Sequence, residues 1–149
     1  MKIEGEGVFG HLGVFKNLVT HRPWGYFGLY SDNEICTTKI LFVKPGQALS
    51  MQFHRKRDQF YYLFDPFTVQ YSDRPVPKNL RNREELKQFA GQHVVSMPGM
   101  PGDMFGFEKG VIHRLMYEGD REYGRCLDLA FGENDEGDIT RIWDFYDRK

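Results

Sequence analysis

Three polar side chains with the spacing of a chelate carry the chemistry that this sequence could perform. Gln52 and His54 are two residues apart in a strand-like segment, and His113 follows a Gly110 turn on another predicted strand. Alternate residues of a strand project from one face, which separates Gln52 and His54 by about 7 Å along the chain. Imidazole and amide groups placed in this way could bind a divalent metal or hold a polar substrate.

The segment that carries Gln52 and His54 reads K-P-G-Q-A-L-S-M-Q-F-H-R-K-R-D-Q-F-Y-Y from Lys44 to Tyr62. Pro45 and Gly46 suit the two central positions of a tight turn, because proline presets a negative φ and glycine accepts a positive one. Beyond the turn, apolar residues alternate with polar ones. The alternation predicts a strand with Leu49, Met51 and Phe53 on one face and the two polar side chains on the other.

The rest of the chain predicts an all-β barrel or jelly roll. Aromatic residues make up 15% of the sequence, and Gly and Pro interrupt it at short intervals. About eight short strands are expected, a pattern typical of double-stranded β-helices. The other predicted strands cover 26–30, 35–43, 59–64, 67–71, 92–97, 104–107, 111–117 and 123–131. The type of the tail, 137–149, stays open between helix and bent strand.

One segment, residues 72–92, breaks the strand pattern and predicts an insertion with a short helix. Asn82 is a suitable N-cap, with Glu85 three residues later, and Gly91 is a candidate stop. An isolated helix of this length is marginal in water. We therefore expect it to lie on the barrel surface through Leu86 and Phe89, as a lid or a dimer contact.

Size and charge limit the function classes. The 149 residues predict an N-terminal arm, 1–20, and one barrel domain, 21–149. The formal net charge is −1, with no basic stripe, which argues against a nucleic-acid partner. No apolar run reaches membrane-spanning length, and no signal peptide is evident, so a cytoplasmic location is expected. Cys36 and Cys126 lie in apolar runs and are interpreted as free thiols rather than a disulfide.

Four motifs in fixed order resemble the type II mannose-6-phosphate isomerase family. They are R-P-W-G at 22–25, K-P-G-Q-x-L-S-x-Q-x-H at 44–54, H-R-L at 113–115 and D-I-x-R at 138–141. The resemblance implies a cupin barrel that interconverts mannose 6-phosphate and fructose 6-phosphate in nucleotide-sugar or polysaccharide biosynthesis. A homodimer is also expected, because small barrels of this kind commonly cover an edge strand by pairing.

The sequence departs from the family pattern where metal ligands are expected. The family continues as Q-x-H-x-H-R-x-E-H-W, whereas this chain has Lys56, Gln59 and Phe60 in place of a His, a Glu and a His. Gln52, His54, Gln59 and His113 remain as candidate metal ligands, and the sequence leaves open whether zinc or a similar divalent ion is bound. No organic cofactor is expected. A protonated Lys56 would repel a cation, so we expect it to replace the metal as a fixed positive charge.

Isomerisation of a sugar phosphate moves a proton between adjacent carbons and needs a base and a cationic grip on the phosphate. The candidate bases are His113, Glu108 and Asp128, and the candidate substrate contacts are Arg22, Arg57 and Arg114, whose guanidinium groups can bind phosphate oxygens in pairs. Lys56 completes the predicted catalytic set. The alternative is a non-catalytic or metal-free cupin that binds a sugar phosphate or sugar nucleotide.

Overall fold

The computed structural model describes residues 19–33, 35–132, 136–144 and 146. Of the predicted arm, 1–20, only Val19 and Thr20 lie within the described residues, and they begin the first strand. Within these ranges the strands are β1 (Val19–Arg22), β2 (Gly25–Asp32), β3 (Cys36–Val43), β4 (Gln47–Ala48), β5 (Met51–His54), β6 (Asp58–Leu63), β7 (Phe67–Ser72), β8 (Val94–Gly99), β9 (Met104–Phe107), β10 (His113–Tyr117), β11 (Gly124–Phe131) and β12 (Ile139–Trp143).

The strands form two antiparallel sheets. One sheet has the order β1-β2-β3-β11-β6-β9, and the other has the order β12-β5-β10-β7-β8, with β4 also paired to β10. Strands distant in sequence are neighbours in both sheets, which is how a jelly roll closes. The prediction of an all-β fold with one inserted helix is confirmed.

The predicted turn at Lys44-Pro45-Gly46 is present. The backbone N–H of Gln47 donates to the Lys44 carbonyl at 3.1 Å, and Gly46 has a φ of +70°. A side chain is disfavoured in that left-handed conformation, so glycine suits the position. The turn ends β3 and returns the chain toward the candidate site on β5.

The main core lies between the sheets. Most of its buried members come from β3, β6, β7, β9, β10 and β11, and they include Val43, Leu63, Val69 and Leu115, all with no exposed surface. Leu49 also belongs to this cluster, whereas Met51 and Phe53 pack elsewhere. The predicted common face of these three side chains is therefore wrong, because the strand is interrupted between Ala48 and Met51.

A second core lies under helix α1 (Arg83–His93), on the outside of the barrel. Leu86 and Phe89 of the helix are buried there against Met51, Phe53 and other apolar side chains, as predicted. Burial of each such side chain contributes about 1.5–3 kcal/mol, which is enough to hold a helix that is marginal alone.

The two ends of α1 differ in how well the sequence predicted them. The Asn82 side chain accepts a hydrogen bond from the Glu84 N–H at 2.8 Å, which confirms the cap. Gly91 does not end the helix, which continues to His93. The buried neighbour Ala90 keeps the last turn on the barrel, and that packing outweighs the low helix propensity of glycine.

The tail forms a short 3-10 helix, Glu136–Asp138, followed by β12. Cys36 and Cys126 are free thiols, as predicted. Among the residues that the structure describes, no helix combines the length and the apolar character needed to cross a lipid bilayer.

Candidate functional site

The barrel interior brings together the polar residues of β5 and β10. His113 is the register partner of Gln52, and His54 lies two residues further along β5. The imidazole rings of His54 and His113 have centroids 5.7 Å apart, and both side chains are buried. The two histidines therefore meet inside the barrel rather than on its surface.

Arg57 fixes the protonation pattern of His54. Its Nε–H donates a hydrogen bond to Nδ1 of His54 at 3.3 Å. Burial lowers the pKa of His54 to about 2, and the charge of Arg57 adds to this effect, so the imidazole is neutral at physiological pH. Because Nδ1 accepts a bond, the single ring proton must be on Nε2.

Gln59 connects His113 to a buried carboxyl group. Oε1 of Gln59 lies 2.9 Å from Nε2 of His113. Nε2 of Gln59 donates to Oδ1 of Asp128 at 2.7 Å and to the Tyr61 hydroxyl at 3.1 Å. Nδ1 of His113 donates to the Val111 carbonyl at 2.9 Å. Burial lowers the pKa of His113 to about 4 and raises the pKa of Asp128.

These bonds require one proton more on the His113–Gln59–Asp128 group than a neutral imidazole and a carboxylate carry together. With the amide oxygen toward His113, the imidazole must be protonated on both nitrogens to donate to it. With the amide NH2 toward His113, the ring can be neutral, and a protonated Asp128 can donate to the amide oxygen. The two arrangements have the same total charge. Only the first arrangement leaves Asp128 as a carboxylate that can accept a proton.

A cavity of about 100 Å³ lies in front of this group. Four cationic side chains from different parts of the chain line it, together with the single carboxyl of Asp128. The cations are Arg22, Lys39, Arg57 and Arg141, and the other lining residues are Trp24, Phe27, Leu41, Leu49, Ser50, Gln52, Gln59, Tyr61 and Ile139. The positive charge suits an anionic ligand, and the aromatic side chains suit the apolar face of a sugar.

Two of the cations, Lys39 and Arg22, form cation–π contacts with Phe27 in the aromatic wall of the cavity. The Lys39 ammonium lies 5.1 Å from the centre of the Phe27 ring, and the Arg22 guanidinium lies 5.5 Å from it. Lys39 is also the register partner of Asp128 across β3 and β11. Arg22 is exposed, so this side of the cavity opens to solvent.

The structure corrects the predicted position of Lys56. Its side chain is exposed in the turn between β5 and β6, while the next residue, Arg57, is 5% exposed and enters the barrel. The Lys56 and Arg55 backbone N–H groups donate to the Asp138 carboxylate, and this fixes the turn. The fixed positive charge beside His54 therefore belongs to Arg57.

Two other predicted residues lie away from the cavity. Arg114 faces the opposite side of β10 from His113, and its Nε donates to Oε1 of Gln70 at 2.5 Å. There it lines a groove beside α1 together with Trp143. Glu108 is exposed in the turn after β9. Arg22, Arg57, Gln52, Gln59 and Asp128 all line the cavity.

Sequence reasoning missed Lys39 and Arg141 as cavity residues. Lys39 lies two residues from Thr37 and from Leu41 on β3, so its side chain shares their face of the strand. Its inward direction could have been inferred from the burial of those two neighbours. Arg141 is the last residue of the D-I-x-R motif, which was recognised without a role for its members. Asp138, the first residue of that motif, lies 3.8 Å from Nδ1 of His54 in addition to fixing the turn.

The four candidate metal ligands do not fit a divalent ion in this arrangement. Nδ1 of His54 accepts from Arg57, so Nε2 carries the proton and offers no lone pair; it has no hydrogen-bond partner among the described residues. Arg57 also places a positive charge beside any ion at this point. Gln52 Oε1 already accepts from the Ser50 hydroxyl at 2.7 Å. Within the part of the chain that the structure describes, no three His, Cys, Asp or Glu side chains are grouped to hold a metal.

Residues 14–100 match the model of the family described as mannose-6-phosphate isomerase C-terminal. This span is more than half of the chain. Comparison with curated protein sequences finds no match.

Solved structures confirm the double-stranded β-helix. The capsular polysaccharide assembling protein CapF from Staphylococcus aureus matches with a TM-score of 0.66 and 12% identity, over 88% of this chain and 35% of CapF. KdgF from Halomonas sp. matches with a TM-score of 0.58 and 13% identity, over 80% of this chain and 91% of KdgF. Oxalate decarboxylase from B. subtilis matches with a TM-score of 0.62 and 15% identity, over 88% of this chain and 32% of that protein. The chain thus spans about a third of the length of CapF and of the decarboxylase.

Proposed function

Because the chain belongs to the family of mannose-6-phosphate isomerase C-terminal domains, a cupin family, we propose that its interior cavity binds a phosphorylated sugar and catalyses aldose–ketose isomerisation. The expected pair is mannose 6-phosphate and fructose 6-phosphate. The observation that carries the proposal is the cavity itself, in which four cations and one carboxyl group surround an aromatic wall. CapF, whose description places it in capsular polysaccharide assembly, is a structural neighbour of this chain in a carbohydrate setting.

The phosphate group is held by guanidinium groups. Arg57 is fixed by its bond to His54, Arg22 stands at the open side and Arg141 lines the same cavity. Guanidinium groups bind phosphate oxygens in pairs, and a desolvated cation binds an anion more strongly than an exposed one does. The sugar ring lies against Trp24 and Phe27.

Asp128 is the base that moves the proton between adjacent sugar carbons. Its carboxyl lines the cavity, and Gln59 links it by hydrogen bonds to His113. Burial raises the pKa of Asp128, which brings its proton affinity closer to that needed for both removal and return of a proton at neutral pH. Lys39, opposite Asp128, stabilises the oxyanion character of the enediol. His113 acts through Gln59 and is a positioning residue.

No step of this mechanism uses a metal, because the ligand set does not fit one. The cationic cavity supplies the electrostatic stabilisation that a metal ion would otherwise provide.

A coupled assay with mannose 6-phosphate, run together with calorimetric binding, tests the proposal. We expect binding of mannose 6-phosphate, weaker binding of mannose by at least tenfold, and turnover that Asp128→Asn abolishes. Asn is close to Asp in shape and can still accept from Gln59, so binding should survive in this variant.

The second candidate is a non-catalytic domain that binds a sugar phosphate or sugar nucleotide. The hydrogen bond from Arg57 to His54 favours it, since the same contact removes a lone pair that a metal-dependent isomerase would use. Tight binding of mannose 6-phosphate or of a nucleoside diphosphate sugar without any turnover would select this candidate.

A further inference from the structure

A second basic cleft lies outside the barrel, between the inserted segment and the turn that precedes β10. It encloses about 310 Å³, and four of its lining side chains are cationic, while none is acidic. The cations are Arg55, Lys78, Arg81 and Lys109, and Pro75, Val76 and Gly110 complete the walls. None of these residues lines the interior cavity.

The walls of this basic cleft are held by backbone contacts. The Val76 N–H donates to the Gly110 carbonyl at 2.8 Å, and Nη2 of Arg55 donates to the Leu80 carbonyl at 2.9 Å. Val76 is 3% exposed and belongs to the core under α1, and Leu80 packs against that core. The inserted segment is therefore a fixed wall of the cleft, and the Arg55 side chain is fixed against it.

The cations of the cleft lie close together and outnumber the carboxylates near them. Burial lowers the pKa of Arg55, and the nearby charge of Arg81 lowers it further. Within the described ranges, none of the four cleft cations forms a salt bridge. Two carboxylates lie nearby, but Asp138 accepts from backbone N–H groups of the β5–β6 turn and Asp58 accepts from the Lys109 backbone N–H.

We propose that the basic cleft binds a phosphate group, free or carried by a small metabolite. Like charges held near one another repel, and a multiply charged anion between them removes that repulsion. The guanidinium of Arg55, fixed over the Phe53 ring at 4.9 Å, and that of Arg81 offer paired donors for phosphate oxygens. This site goes beyond the proposed function, because it shares no residue with the isomerase cavity.

The cleft also adjoins the backbone that holds the interior histidines. The Gly110 N–H donates to the His54 carbonyl at 2.6 Å, and the Val111 carbonyl accepts from His113. Arg55 directly follows His54 in sequence. A phosphate bound at Lys109 and Gly110 therefore stabilises the turn that positions both imidazoles.

Amide spectra of the 15N-labelled protein test the proposal, because they distinguish the two sites by residue. The probes are pyrophosphate, inorganic phosphate and mannose 6-phosphate, each titrated separately at low ionic strength. The test variant is Arg81→Gln/Lys109→Gln. The control is Lys44→Gln/Arg121→Gln, which removes two positive charges from the β3–β4 and β10–β11 connections, neither of which lines the cleft.

We expect pyrophosphate to shift the amides of Val76, Leu80 and Gly110. The test variant should weaken this binding at least tenfold, and the control should change it less than twofold. If inorganic phosphate binds the cleft more tightly than mannose 6-phosphate does, the cleft is a site for the free anion. If mannose 6-phosphate binds more tightly, the cleft is a site for a phosphorylated metabolite. Shifts confined to the interior, seen at the Trp24 indole, would overturn the proposal, as would equal weakening in both variants. The isomerase assay measures turnover, whereas the spectra measure shifts of the cleft amides. Either result can be negative without the other, so the two proposals can fail separately.

Discussion

The Nε–H of Arg57 donates to Nδ1 of His54 at 3.3 Å inside the barrel. This bond assigns the ring proton of His54 to Nε2, and it places the positive charge of Arg57 beside the His54 ring. The tautomer of His54 and the positive charge beside its ring therefore depend on a single arginine.

Replacement of Arg57 tests this dependence. We expect Arg57→Gln to weaken binding of mannose 6-phosphate at least tenfold, about 1.4 kcal/mol or more, because it removes a buried charged donor. Calorimetry measures the affinity, and circular dichroism verifies that the variant is folded.

Lys56→Gln is the matched control, because Lys56 is the adjacent cation but its side chain is exposed. Its affinity should remain within twofold of the unmodified protein. Equal losses in the two variants would contradict the assignment and would indicate a general charge effect.

Metal removal should have no effect on the described site. The ligand geometry predicts that protein purified without chelator contains far less than one zinc, manganese or iron ion per chain. Dialysis against EDTA should change the melting temperature by less than about 1 °C, since no ligand of the folded state is removed. A stoichiometric metal, lost together with stability on dialysis, would contradict this prediction.

The buried carboxylate of Asp65 should make the stability of the folded protein depend on pH in acid. A side-chain hydrogen bond from Arg125 lowers the pKa of Asp65, and Arg121 also contacts this buried carboxylate. A lowered folded-state pKa stabilises the protein fully above the ordinary value of about 3.9, and the contribution is lost as pH falls through the folded value.

Asp65→Asn should therefore lower the free energy of unfolding by about 1–2 kcal/mol at pH 7. The difference from the unmodified protein should narrow below pH 4. Urea unfolding across this pH range measures both effects, and a difference that grew in acid would have the wrong sign for this account.

Gly25 explains the last position of the R-P-W-G motif. Its φ is +147°, and a Cβ there would lie 1.9 Å from the Phe42 carbonyl oxygen. Gly46 also has a positive φ, but a Cβ added to it would meet no atom within 4 Å. We expect Gly25→Ala to cost more than about 2 kcal/mol and Gly46→Ala about 1 kcal/mol, as measured by urea unfolding. Similar costs would show that the close approach of β3 is not what requires glycine.

The sequence predicted the fold well because local patterns coincide with the barrel. Turn chemistry at Pro45-Gly46 and the period of two on the strands placed most elements to within a few residues. The helix end was wrong, since packing of Ala90 extends α1 past Gly91. Local propensity cannot include that tertiary contact.

The site was predicted less completely, because side-chain direction changes in turns. Lys56 and Arg57 are adjacent between β5 and β6, and alternation cannot be extended through a turn to decide which one enters the barrel. Lys39 and Arg141 reach the cavity from strands that are remote in sequence from β5. Their contribution becomes visible only when the sheet order is known.

Proton exchange at the sugar carbon tests the central claim most directly. In D2O with EDTA present, proton NMR of mannose 6-phosphate follows deuterium incorporation at C2. The account predicts incorporation by the unmodified protein, none by Asp128→Asn at saturating ligand, and unchanged exchange when EDTA is omitted. Absence of deuterium at C2 while mannose 6-phosphate remains bound would contradict the isomerase mechanism.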